Sequence, residues 1–135
     1  MSRESVEALR RASDAINRRD VEALVAELDP YIEWHPGVVA AVTGREVVYR
    51  GHQGASEYFR DLDEAFSETH FDLAEIRDLG DRMIAFGRFR ARGKASGAVT
   101  ETPVALLVSD RNGKAREIRT FLNPQEALEA AGLSD

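Results

Sequence analysis

The stretch Gly80-Asp81-Arg82-Met83-Ile84-Ala85-Phe86-Gly87-Arg88-Phe89-Arg90-Ala91-Arg92-Gly93-Lys94 decides the fold. Arg88, Arg90, Arg92 and Lys94 recur at every second residue, the period of a β-strand. Gly80-Asp81 before this strand and Gly93 to Gly97 at its end are turn sequences. Working outward, strands are expected near 69–79, 82–94, 99–109 and 114–122, with Asn112-Gly113 as a further turn. Parallel neighbours need a crossover of about a dozen residues or more. These connections are shorter, so the second half reads as an antiparallel meander.

The first half has a different period. Val6, Leu9, Ser13 and Ile16 mark an amphipathic helix over 4–18. Asp20 is placed to cap a second short helix with Val21, Leu24, Val25 and Leu28 as its stripe, ended by Asp29-Pro30. Tyr31 to His35 alternates like a strand and Pro36-Gly37 closes it. Residues 38–51 read as apolar, β-branched chain followed by a second short strand over 45–50. A third helix, 52–67, carries Ala55, Tyr58, Phe59, Leu62 and Phe66 and is expected against the centre of the core. Asn123-Pro124-Gln125-Glu126 combines an N-cap, a first-position proline and a glutamate three residues past the cap, and so starts a final helix. Helices first and a strand meander after them describe an α+β fold.

The chain has 135 residues, a net charge of -6 and no cysteine. That length suits one domain over 1–135, and the absence of cysteine excludes disulfides and thiolate metal sites. No apolar run approaches the ~20 residues that span a bilayer. Met1-Ser2-Arg3-Glu4 is charged with no apolar signal segment behind it, so a cytoplasmic setting is expected. The acidic balance argues against nucleic-acid binding. No Walker loop, dinucleotide fingerprint or nucleophile elbow is present. The three histidines are scattered along the chain, so neither a metal nor another cofactor is expected.

Several strings, in this order and spacing, resemble the nuclear transport factor 2-like superfamily with its SnoaL-like domains. They are Asn17-Arg18-Arg19-Asp20-Val21-Glu22-Ala23-Leu24, Tyr31-Ile32-Glu33-Trp34-His35-Pro36, Gly51-His52-Gln53-Gly54-Ala55 with Tyr58-Phe59, Gly93-Lys94-Ala95-Ser96-Gly97, and Asn112-Gly113-Lys114 with Phe121-Leu122-Asn123-Pro124-Gln125-Glu126-Ala127-Leu128. The resemblance implies a cone-shaped, curved antiparallel or mixed sheet around three helices of the N-terminal half, a short C-terminal helix and an internal pocket for a small apolar molecule. It also implies a homodimer through the outer sheet face. The superfamily hosts isomerases, hydrolases, cyclases and binding domains, so function rests on the site.

Compared with the ketosteroid isomerases of that superfamily, His35-Pro36 falls near the position of the Asp-Pro general base. An imidazole with a pKa near ~6.5 suits proton transfer. His35 either lines the pocket or caps a strand end, and alternation sets Tyr31, Glu33 and His35 on one face with Ile32 and Trp34 on the other. The isomerase's oxyanion donors have no match: Ala12 stands near its tyrosine, and Phe86 to Arg90 holds no carboxylate. Arg88 matches the water-activating arginine of limonene epoxide hydrolases, but Arg90 and Asn123 stand where its two aspartates belong. The arginine stripe reads as a solvated face or as an anion-holding one. Arg88, nearest Ile84 and Phe86, is expected to reach the pocket. The leading expectation is a cofactor-independent isomerase, cyclase or hydrolase for a small apolar or polycyclic molecule. In it His35 and Arg88 are catalytic, and Trp34, Glu33, Tyr58, Phe59, Phe86, Arg119 and Asn123 contact substrate. A binding domain without catalysis, or a protein-interaction domain, is the alternative.

Overall fold

The computed structural model describes residues 3–133. The elements run α1 (Arg3–Arg18), α2 (Val21–Val25), β1 (Leu28–His35), α3 (Gly37–Thr43), β2 (Tyr49–Arg50), α4 (Gly51–Ala65), β3 (Phe66–Asp78), β4 (Met83–Gly93), β5 (Val99–Arg111), β6 (Lys114–Phe121) and α5 (Pro124–Ala130). The strands form one mixed sheet in the order β2-β1-β6-β5-β4-β3. It does not close, and its edges are the two-residue β2 and the thirteen-residue β3.

The β3–β4–β5–β6 meander is antiparallel throughout, as the short turns require. The exception to that direction is β1, which runs parallel to β6 with Trp34 opposite Ile118 and His35 opposite Arg119. β1 starts at Leu28, earlier than expected, so Pro30 lies inside a strand instead of ending a helix. Proline fits there because the β1–β6 register shifts between Leu28 and Glu33, so the ladder does not run through it.

Residues 37–43 correct the sequence reading: the apolar run is helical, which makes four helices before β3 where three were expected. Gly44 ends α3 at φ 70°, and its N–H donates to the Ala40 carbonyl. A Cβ on Gly37 would stand 3.0 Å from the Thr120 carbonyl oxygen, so glycine lets α3 lie directly on β6.

The main core lies between the helices and one sheet face. Ala55, Tyr58, Phe59 and Leu62 of α4 bury there with Ile32, Trp34, Met83, Ala85, Phe89, Val104, Val108 and Ile118. The ring of Trp34 lies 4.3 Å from that of Tyr58, and Tyr58 contacts Tyr49 and Phe59 at 5.6 and 6.1 Å. A second, smaller core lies on the opposite face, where Ala127 and Ala131 cover Ile84, Ala105 and Leu107. Arg82 holds that helix down by donating to the Ala131 carbonyl at 2.6 Å. Asn123 caps it by accepting from the Gln125 N–H.

The long edge strand is partly covered by α1. The Asn17 amide donates to the Phe71 carbonyl and accepts from the Phe71 N–H, both at 2.8 Å. One side chain thus supplies both bonds that a residue of a seventh strand would make. Arg19 adds a bond to the Thr69 hydroxyl at 2.6 Å. Such coverage blunts an edge otherwise open to strand addition.

Candidate functional site

Strand parity decides which side chains reach which face. On β4, Met83, Ala85, Phe89 and Ala91 belong to the helix-side core, so Arg88, Arg90 and Arg92 point the other way and are exposed. On β1, Ile32 and Trp34 are buried, which turns Glu33 and His35 to that same outer face.

At one end of the core, α3 and the sheet leave an apolar cleft of about 260 Å³. Val38, Ala41 and Val42 of α3 form one wall. Phe66, Phe89, Ala91, Thr100 and Thr102 form the sheet side, and Leu122 closes it beyond β6. Phe66 and Phe89 meet edge to face at 5.9 Å. Val42 and Leu122 are 53% and 36% exposed, so the cleft carries apolar surface out to its rim. No ionisable side chain is among its lining residues, and the Thr100 and Thr102 hydroxyls are their only polar side-chain groups. This arrangement can bury apolar surface and offer neutral hydrogen bonds, but the lining holds no group that carries a proton at neutral pH.

The expected site residues divide between the two faces. Trp34, Tyr58 and Phe59 are packed in the helix-side core. Burial pushes the Tyr58 phenol up to about 12. Its neighbour Tyr49, also raised first by burial, donates to the Asp61 carboxylate at 2.5 Å. Phe86 lies on the outer face beside the second core, with the Arg77 guanidinium 5.2 Å from its ring. Arg88 does not reach the cleft. It is 54% exposed and bonded to Glu101 at 2.7 Å. Arg119 stacks over Phe121 at 5.1 Å, and Asn123 is occupied as the helix cap.

His35 and Arg88 share a face but not a site. His35 aligns with Arg119, Arg119 with Leu107 and Leu107 with Ile84, which is four residues short of Arg88. Three inter-strand steps alone separate them by roughly 14 Å. Glu33 and His35 do sit together: His35 Nε2 is 3.6 Å from Glu33 Oε1, while Glu33 Oε2 takes Arg50 at 3.1 Å. Glu117 of β6 stands opposite Glu33. Sequence reasoning missed the cleft residues, although Phe89 and Ala91 alternate with the arginines and are by that parity their opposite face.

Solved structures share this fold. A nuclear transport factor 2-like protein of unknown function from Burkholderia pseudomallei superposes with a TM-score of 0.79 at 22% identity, over 96% of this chain and 97% of that one. TerC, co-crystallised with polyporic acid, gives 0.78 at 21% identity, over 93% and 96%. A protein of ketosteroid isomerase-like fold from Catenulispora acidiphila, in complex with trimethylamine, gives 0.75 at 14%, over 94% and 93%. No curated protein matches the chain. Residues 9–118 match the SnoaL-like domain over most of the sequence, and the chain belongs to that family.

Proposed function

We propose that this SnoaL-like protein binds a small, uncharged, largely apolar molecule in the cleft between α3 and the sheet, without acid–base chemistry from the cleft itself. The observation that carries this reading is the lining: apolar side chains, two threonine hydroxyls and no ionisable group around about 260 Å³. That volume sits just below the usual ~300–1,000 Å³ of ligand pockets and favours a molecule of one or two rings. TerC with polyporic acid and the trimethylamine complex are small-molecule complexes of the same fold, and they support small-molecule binding as such. The arginine and histidine expected to be catalytic face away from this cleft, which is why binding is preferred to catalysis. Pairing of two chains through the outer sheet face belongs to the same reading.

The test is a fluorescence titration with 6-propionyl-2-dimethylaminonaphthalene, a neutral two-ring probe. Val42→Asp and Leu122→Asp place a charge on the rim, at exposed positions where the fold tolerates it. Each is expected to weaken binding about tenfold or more, since desolvating a carboxylate opposes burial of the probe. Arg88→Ala, on the opposite face, is expected to bind as the parent does. No binding by the parent, or equal binding by both rim variants, overturns the proposal.

A further inference from the structure

We propose that Glu33, His35 and Glu117 form a binding site for a divalent transition cation, Zn²⁺ foremost, on the outer face of the sheet. The three side chains each bring one donor atom, and those atoms lie within 4.8 Å of one another. All three are half-buried. They stand on β1 and β6, inner strands of the sheet, so the backbone positions are fixed by hydrogen-bonded neighbours on both sides. Glu33 and His35 share a face at a spacing of two, and the parallel register sets Glu117 opposite Glu33.

The charges around the cluster favour a cation. Parallel pairing sets two carboxylates side by side, and like charges directly opposite destabilise a sheet. Arg50 relieves part of this by holding Glu33 Oε2, which leaves Oε1, the atom nearest His35 Nε2, for a metal. Arg119, aligned with His35, has its guanidinium over the Phe121 ring. Among the described residues no ion pair is formed by Glu117. One imidazole nitrogen and two carboxylate oxygens are a donor set for Zn²⁺ or its first-row neighbours, whereas Mg²⁺ and Ca²⁺ prefer oxygen alone. Tetrahedral donors at ~2.0–2.1 Å from zinc lie roughly 3.3 Å apart. Small rotations of the two glutamate side chains close the remaining gap, and water would complete the coordination. The site lies on the opposite face of the sheet from the apolar cleft, so zinc uptake and probe binding in the cleft are read independently.

The experiment is equilibrium dialysis of chelator-treated full-length protein against ZnCl₂, with metal analysis and thermal melts. One Zn²⁺ per chain is expected, with a rise in Tm. His35→Ala and Glu117→Gln are each expected to lose affinity at least tenfold, while His70→Ala, on exposed β3, is expected to match the parent. Glu117→Gln also removes the like-charge neighbour, so its metal-free Tm is expected to equal or exceed the parent's, which shows that the variant folds. Absence of zinc uptake at 100 µM, or uptake unchanged in Glu117→Gln, overturns the proposal.

Discussion

Replacing Asn17 by alanine isolates the contribution of one side chain to an edge strand. Two hydrogen bonds of 2.8 Å to Phe71 are lost, and nothing else bonded to that amide changes. A net bond contributes about 0.5–1.5 kcal/mol, so two give about 1–3 kcal/mol. The bonds are part-buried, and water can replace some of the interaction, which puts the expected loss near 1.5 kcal/mol. For a chain of this length that lowers Tm by roughly 5 °C. Urea denaturation followed by the fluorescence of Trp34, the chain's single tryptophan, measures it; the midpoint should fall with the slope unchanged. Asn17→Asp keeps the acceptor but turns a carboxylate oxygen toward the Phe71 carbonyl, and should lose at least as much. Hydrogen exchange adds a local readout, because the Phe71 amide should lose protection in Asn17→Ala. A midpoint shift equivalent to less than about 0.3 kcal/mol, with Phe71 still protected, refutes the reasoning.

Alkaline pH should weaken the fold through Tyr58, whose buried phenol is raised to about 12 from an ordinary value of 10. A phenol held neutral in the folded state contributes its full stability below about pH 10 and loses it as pH rises toward 12, by about 3 kcal/mol in all. Tyr58→Phe should flatten that decline in urea midpoints between pH 9 and 11, and parallel profiles for the two proteins would contradict this. Pairing through the outer sheet face predicts about twice the 15.0 kDa chain mass by light scattering. Tyr31→Glu, at a side chain 71% exposed on that face, should return it to the single-chain mass, and a monomer at all concentrations refutes pairing.

Much of this architecture was legible because local periods and caps agree with it. The Asp20 and Asn123 caps and the turns at Gly80-Asp81 and Asn112-Gly113 are all where the residues put them. The helix α3 was not legible, since Val38, Val39 and Val42 favour a strand, while what accompanies the helix, the burial of Val39 in the core and the close approach of Gly37 to Thr120, is tertiary. Arg88 shows why the site was harder. Its apolar neighbours Ile84 and Phe86 looked like the face of the main core, but they serve the second core, beside α5. With apolar residues on both faces of β4, hydrophobicity alone cannot say which face meets the helices. Glu117 joins Glu33 and His35 only through the parallel register of β1 and β6, a pairing of distant segments that no local pattern announces.

That register also constrains synthesis. During translation β1 emerges well before β6, and until β6 arrives its only sheet neighbour is the two-residue β2. Tyr58 of α4 can meet Trp34 early, but Ile118 comes beside it only after most of the polypeptide is made, so one edge of β1 waits for its strand neighbour. Long-range pairing of this kind slows folding and leaves partly built chains open to association. A chain cut short before residue 114 would lack the strand that pairs with β1 along its parallel edge.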